Sequence, residues 1–188
     1  MEQLALKAAS QPTANGSPTL LLNKSHPAWL AKISLSPPPP LAATAQGIAN
    51  SPLELLFVKP RLLMNISGPS ILSASKNFNP LPGHSYRLIT IQDDLDLPTN
   101  TIKLQKGGSP RGHNGVRSLA SALGTRDFHR LRIGIGRPDN KADVAKFVMG
   151  AMGRDEVRSC ECDDDGKGGN VLEACWREIL KIGWEDIE

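Results

Sequence analysis

From Gln92 to Pro138 the chain reads QDDLDLP, then KGGSPRGHNGVRS, then LGTRDFHRLRIGIGRP, with carboxylates, glycines, histidine and asparagine packed between short apolar stretches. That alternation is how an α/β protein brings polar side chains together at the ends of its strands. YRLITIQ, residues 86–92, predicts a core strand that delivers Asp93, Asp94 and Asp96 at its C-terminal end. In TIKLQ, Ile102 and Leu104 alternate with Lys103 and Gln105, which predicts a strand with one wet face. The glycine-rich stretch 107–112 then reads as a loop, and Asn114 as the cap of a helix with Val116, Leu119, Ala120 and Leu123 on its inner face and Gly124 closing it. FHRLRIGIG alternates again, so Arg130 and Arg132 are expected to share a polar face.

The flanks follow the same logic. LELLFVK predicts a buried strand ended by Pro60, which cannot donate to a ladder. MNISGPSILSASKNF predicts a helix capped by Ser67, with Pro69 in its first turn, so Asn65 falls in a strand-to-helix loop. Two further helices are expected near 141–149, with Val144, Phe147 and Val148 inward, and near 171–182, with Leu172, Cys175, Trp176, Ile179 and Leu180 inward. The acidic stretch CECDDDGKGG between them reads as a solvated linker.

At 188 residues the chain suits one domain with a sizeable core. Residues 1–52 are rich in Pro, Ser, Ala and Asn, carry the tract PPPP at 37–40, and hold apolar stretches only at 20–22 and 29–35, so they are expected to order poorly. The domain proper is then 53–188. Lysine and arginine exceed aspartate and glutamate by 22 to 19, a slight bias toward polyanions. Three cysteines clustered late in the chain do not suggest a disulfide framework, and Cys160 and Cys162 have no second pair at a zinc-like spacing, so no metal is expected. No apolar run is long enough to span a bilayer, and neither a secretory signal nor a mitochondrial presequence is evident.

The residues alone assemble Asn65, Asp93, His113 and Asn114, fringed by Lys103, Lys106, Arg111, Arg130 and Arg132. A carboxylate beside a histidine can orient it as a general base for water, and asparagine amides can hold a carbonyl oxygen as charge develops on it. The set suits an ester or a phosphate-bearing ligand. Plain structural readings stand beside it: Asp93 as a strand end, Asn114 as a helix cap, the arginines as a solvated face.

KPRLLMNISG, QDDLDLP, GGSPRGHNG and FHRLRIGIGRP occur in the order and approximate spacing of the bacterial-type peptidyl-tRNA hydrolase family, which the chain resembles over about residues 54–150. The resemblance implies a single three-layer α/β/α domain with a mixed, mostly parallel sheet, no metal or other cofactor, and a monomer. It implies hydrolysis of the ester joining a peptide to the 3′ ribose of tRNA, so peptidyl-tRNA is the partner, with no membrane, in cytoplasm or mitochondrion and not secreted. Asp93 resembles the aspartate that orients the catalytic histidine, Asn65 and Asn114 the asparagines that hold substrate and water, and His113 the motif histidine beside the site. Lys103, Lys106, Arg111 and Arg132 fall in the region that meets tRNA phosphates. The chain departs from the family at its start, where neither an Asn-Pro-Gly turn nor an Arg-His stretch is found. His26 lies upstream of Asn65 without those neighbours, and Gln92 stands where the family often has histidine. The domain is therefore expected to be N-terminally incomplete, with a tRNA-binding protein that has lost hydrolysis, or a small-molecule esterase, as alternatives.

Overall fold

The computed structural model describes residues 1–11, 14–16, 21–23, 27–37, 52–76, 78, 86–162 and 168–184. His26, most of the proline tract and the acidic stretch 163–167 lie outside them. Helix α1 (Glu2–Ala9) precedes strands β1 (Ala14–Gly16), β2 (Leu21–Asn23), β3 (Ala28–Leu35) and β4 (Leu53–Pro60). A 3-10 turn (Met64–Ile66) leads into α2 (Gly68–Lys76), followed by β5 (Ile89–Asp94), β6 (Ile102–Lys106), α3 (Asn114–Leu123) and β7 (His129–Gly134). Helices α4 (Val144–Val148), α5 (Arg154–Cys160) and α6 (Asn170–Trp184) complete the order.

Strand β3 organises one sheet. β4 runs antiparallel along its whole length, and β1 and β2 pair antiparallel with opposite ends of its other edge. In the second sheet β7 lies between β5, to which it is parallel, and β6, to which it is antiparallel. The α/β class and the mixed sheet expected from the sequence are present. The expected parallel majority is not, for β5 with β7 is the single parallel ladder among the described residues. A parallel pair needs a crossover of a dozen or more residues, which the link from β5 through β6 and α3 to β7 supplies.

Leu131 and Ile133 of β7 and Ile89 and Ile91 of β5 face a core shared with Ile33 and Leu35 of β3, Phe57 of β4 and the inner stripe of α6. That stripe is Val171, Leu172, Cys175, Trp176 and Ile179, close to the expected helical face. Burial pushes the Cys175 thiol up to about 12, as suits a cysteine that packs rather than reacts. A second cluster of Val116, Leu119 and Phe128, with Ile71 and Leu88, seats α2 and α3.

Two expectations are corrected here. Residues 1–52 are expected from their composition to order poorly, but among the described ones Leu4, Ala5, Ala8, Ala31, Ile33 and Leu35 belong to the main core. Lys7 reaches from α1 to Glu173 of α6 at 2.5 Å. The packing unit therefore does not begin at residue 53. Near residue 145, Phe147 is 43% exposed and not inward, because the expected long helix is a 3-10 turn (Lys141–Asp143) followed by only five α-helical residues. So short a helix does not carry a continuous apolar face.

Candidate active site

Strand alternation gives the two carboxylates that end β5 different surroundings. Asp94 follows the parity of Thr90 and Gln92, and its Oδ2 meets Arg132 Nε at 2.6 Å. Asp93 follows the parity of Ile89 and Ile91, and its Oδ1 lies 3.2 Å from Nε2 of His113. The bond to His113 outweighs partial burial and holds the Asp93 carboxyl below its ordinary value.

His113 is the N-cap of α3, its Nδ1 accepting the Val116 N–H at 3.2 Å. The sequence assigned that cap to Asn114. Asn114 is instead the first helical residue, and its side chain is left exposed. With Nδ1 accepting, the ring proton resides on Nε2 and is donated to Asp93. Neither ring nitrogen then has a lone pair free for water, so His113 in this geometry is not a general base.

Asn114 and Asn65 both line an open groove of about 660 Å³, together with Ile66, Pro69, Arg117 and Ser118. Two glycines allow the turn bearing Asn65 to sit against α3. A Cβ on Gly115 would come within 2.7 Å of Met64 Cγ. One on Gly68 would lie 2.2 Å from the Ser118 carbonyl oxygen, and the Gly68 N–H donates to Ser118 Oγ at 3.0 Å. Ser67, expected to cap α2, donates instead to Met64 O, closing the 3-10 turn. Gly68→Ala is expected to lower stability by about 1–3 kcal/mol through overpacking of backbone against backbone. A thermal melt unchanged to within about 0.5 kcal/mol would show that the two helices part without cost.

Lys103, Lys106 and Arg111 are exposed, as a phosphate-facing fringe requires. Arg111 adopts φ 49°, in a turn rich in left-handed glycines. Arg132 is corrected: it is 2% exposed, paired with Asp94, and donates from Nη1 to Gln105 Oε1 at 3.2 Å. Arg130, 1% exposed, donates to the carbonyls of Ser109 at 2.8 Å and Gly107 at 2.5 Å. The polar face of β7 is thus not solvated. Arg130 donates into the glycine-rich loop, while Arg132 donates to Asp94 and Gln105.

The structure therefore makes two adjoining constellations, Asp93 with His113 and Asn65 with Asn114, joined by the peptide bond between His113 and Asn114. Gln92 is buried beside Asp93, its Oε1 without a hydrogen-bond partner among the described residues. The residues not foreseen are Arg117 and Ser118, which follow Asn114 by three and four positions and so share its helix face, a periodicity visible in the sequence.

Comparison with known proteins places these observations. The family profile described as Peptidyl-tRNA hydrolase matches residues 34–166. A peptidyl-tRNA hydrolase of Rhodococcus jostii is 45% identical over 132 residues, covering 69% of this chain and 64% of the relative. One from Mycobacterium bovis is 48% identical over 96 residues, covering 51% and 49%. The chain thus spans between about half and two thirds of these relatives. The crystal structure of peptidyl-tRNA hydrolase from Acinetobacter baumannii superposes with a TM-score of 0.63 at 22% identity, over 97% of this chain and 76% of that one, a likeness of fold. With most of its length inside the family profile and relatives well above 40% identity, the chain belongs to the peptidyl-tRNA hydrolase family.

Proposed function

We propose that the chain acts on peptidyl-tRNA, holding the ester between the peptide and the 3′ ribose for attack by water. The observation that carries this reading is that Asn65 and Asn114 line one groove while an ionised Asp93 is bonded to His113, the residue before Asn114. Two amide side chains can donate to the carbonyl oxygen as it becomes an oxyanion, and Asp93 can accept from the group that activates the water. The exposed Lys103, Lys106 and Arg111 contribute attraction for the acceptor phosphates. No metal or other cofactor enters this reading. The reading takes the protein as a monomer. No helix among the described residues is long and apolar enough to cross a membrane. A protein that recycles peptidyl-tRNA works where translation occurs, in the cytoplasm or the mitochondrion.

One observation favours a second reading. Both nitrogens of His113 are engaged, and no histidine among the described residues lines the groove, so a tRNA-binding protein without hydrolysis is the alternative. Purified chain incubated with N-acetyl-aminoacyl-tRNA separates the two. Ester cleavage that falls about 10²–10³-fold in Asn114→Ala supports the hydrolase. Salt-sensitive tRNA binding without cleavage supports the alternative. Cleavage of simple esters that bare tRNA does not inhibit would overturn both in favour of a small-molecule esterase.

A further inference from the structure

We propose that His113 is a positioning residue for Asp93: it caps α3 through Nδ1 and, through Nε2–H, anchors one oxygen of the Asp93 carboxylate so that the other is presented toward the site. For its role in hydrolysis the inference rests on the reading above; the geometry does not depend on it.

The Val116 N–H occupies Nδ1, which makes Nε2 the donor toward Asp93 Oδ1. Among the described residues His113 is the one side chain bonded to Asp93. The neighbouring negative charge of Asp94 is taken up by Arg132 on the other face of β5. His113 also ties the C-terminal end of β5 to the first turn of α3. The position of Asn114, one residue on, is therefore set relative to Asp93 by a single side chain. An aspartate, serine or asparagine would cap α3 as well or better. None of these reaches both Val116 and Asp93, so the choice of imidazole is accounted for by its second contact. The lowered Asp93 pKa, whose largest cause is this bond, agrees.

Asparagine separates the two roles, since His113→Asn keeps a capping acceptor but is too short to bridge to Asp93. The full chain is compared with this variant by carboxyl-carbon NMR. The expected result is a melting temperature within about 2 °C of the parent with the cap retained, and an Asp93 titration moved up toward the ordinary value of about 3.9. An unchanged Asp93 titration in folded His113→Asn would overturn the proposal. Should that variant fail to fold, the ring nitrogens of His113 are read in the wild type and in Asp93→Asn. A Nε2–H resonance that shifts between the two supports the contact, and one that does not refutes it. Neither measurement needs substrate, so each judges His113 apart from the hydrolase reading. Where cleavage is observed, His113→Asn is expected to lower kcat about tenfold while KM stays within about twofold, because Asp93 orientation acts on the attack and not on tRNA binding.

Discussion

Asp94→Ala is expected to lower folding stability by about 3–5 kcal/mol, the loss that follows when one partner of a buried ion pair is removed and the other is left uncompensated. Both side chains are almost fully covered, Arg132 at 3% and Asp94 at 7%, and their contact is 2.6 Å. Gln105 accepts from the guanidinium but carries no charge to replace the carboxylate. Asp94→Leu with Arg132→Met removes both charges and is expected to recover most of the loss. The remaining deficit, about 1 kcal/mol, reflects the Asp96 N–H that Asp94 Oδ1 accepts at 2.8 Å. Urea unfolding at neutral pH checks both, and a single variant within about 1 kcal/mol of the parent would show the pair to be solvated. The pair also predicts an acid response. Burial raises the Asp94 pKa, but the bonds from Arg132 and from the Asp96 amide outweigh it and leave the carboxyl below its ordinary value. A depressed folded pKa gives stability that is present above the unfolded value of about 3.9 and lost as pH falls through the folded one. The melting temperature of the parent should therefore drop below about pH 4, and that of the double variant should drop less.

Arg130→Met is the second large effect. Its guanidinium lies beneath the loop 107–112 and donates to two loop carbonyls, and hydrogen bonds from charged groups contribute about 1.5–3 kcal/mol each. Methionine fills similar space without donors, leaving the Ser109 carbonyl to find water and the Gly107 carbonyl with the Gln105 amide at 3.2 Å. A loss of about 3 kcal/mol is expected, with faster amide exchange confined to the loop and to the β6 end that carries Lys106. Because the loop presents Arg111, tRNA binding should weaken and its dependence on salt should become shallower, although Arg130 itself touches no ligand. Unchanged exchange in the loop would mean that Arg130 does not hold it. Arg132→Ala, by contrast, is expected to act on stability through Asp94 far more than on the salt dependence of binding, since its charge is already paired inside the protein.

Most element types were legible along the chain because each rests on local periodicity. β6 and α3 occupy nearly the residues expected, and Gly124 closes α3 in the left-handed conformation at φ 70°. The stripe of α6 was legible for the same reason, since Leu172, Cys175, Trp176 and Ile179 recur at helical spacing. The segment before residue 53 was not legible. Its strands β1 and β2 have three residues each, too few to establish a period, and β3 becomes recognisable as a core strand only when β4 lies along it.

The candidate site divides along the same line. By itself the sequence determined the family resemblance, the strand-end carboxylates, the glycine-rich loop and the helix that begins at Asn114, because each is set by residues within a few positions of one another. The tertiary structure alone decided that Arg130 lies inward beneath the loop and Arg132 inward against Asp94, that His113 and not Asn114 caps the helix, and that His113 is bonded to Asp93, twenty residues away. Alternation along a strand states that a face is polar; whether water or another part of the chain covers it depends on contacts between residues far apart in sequence.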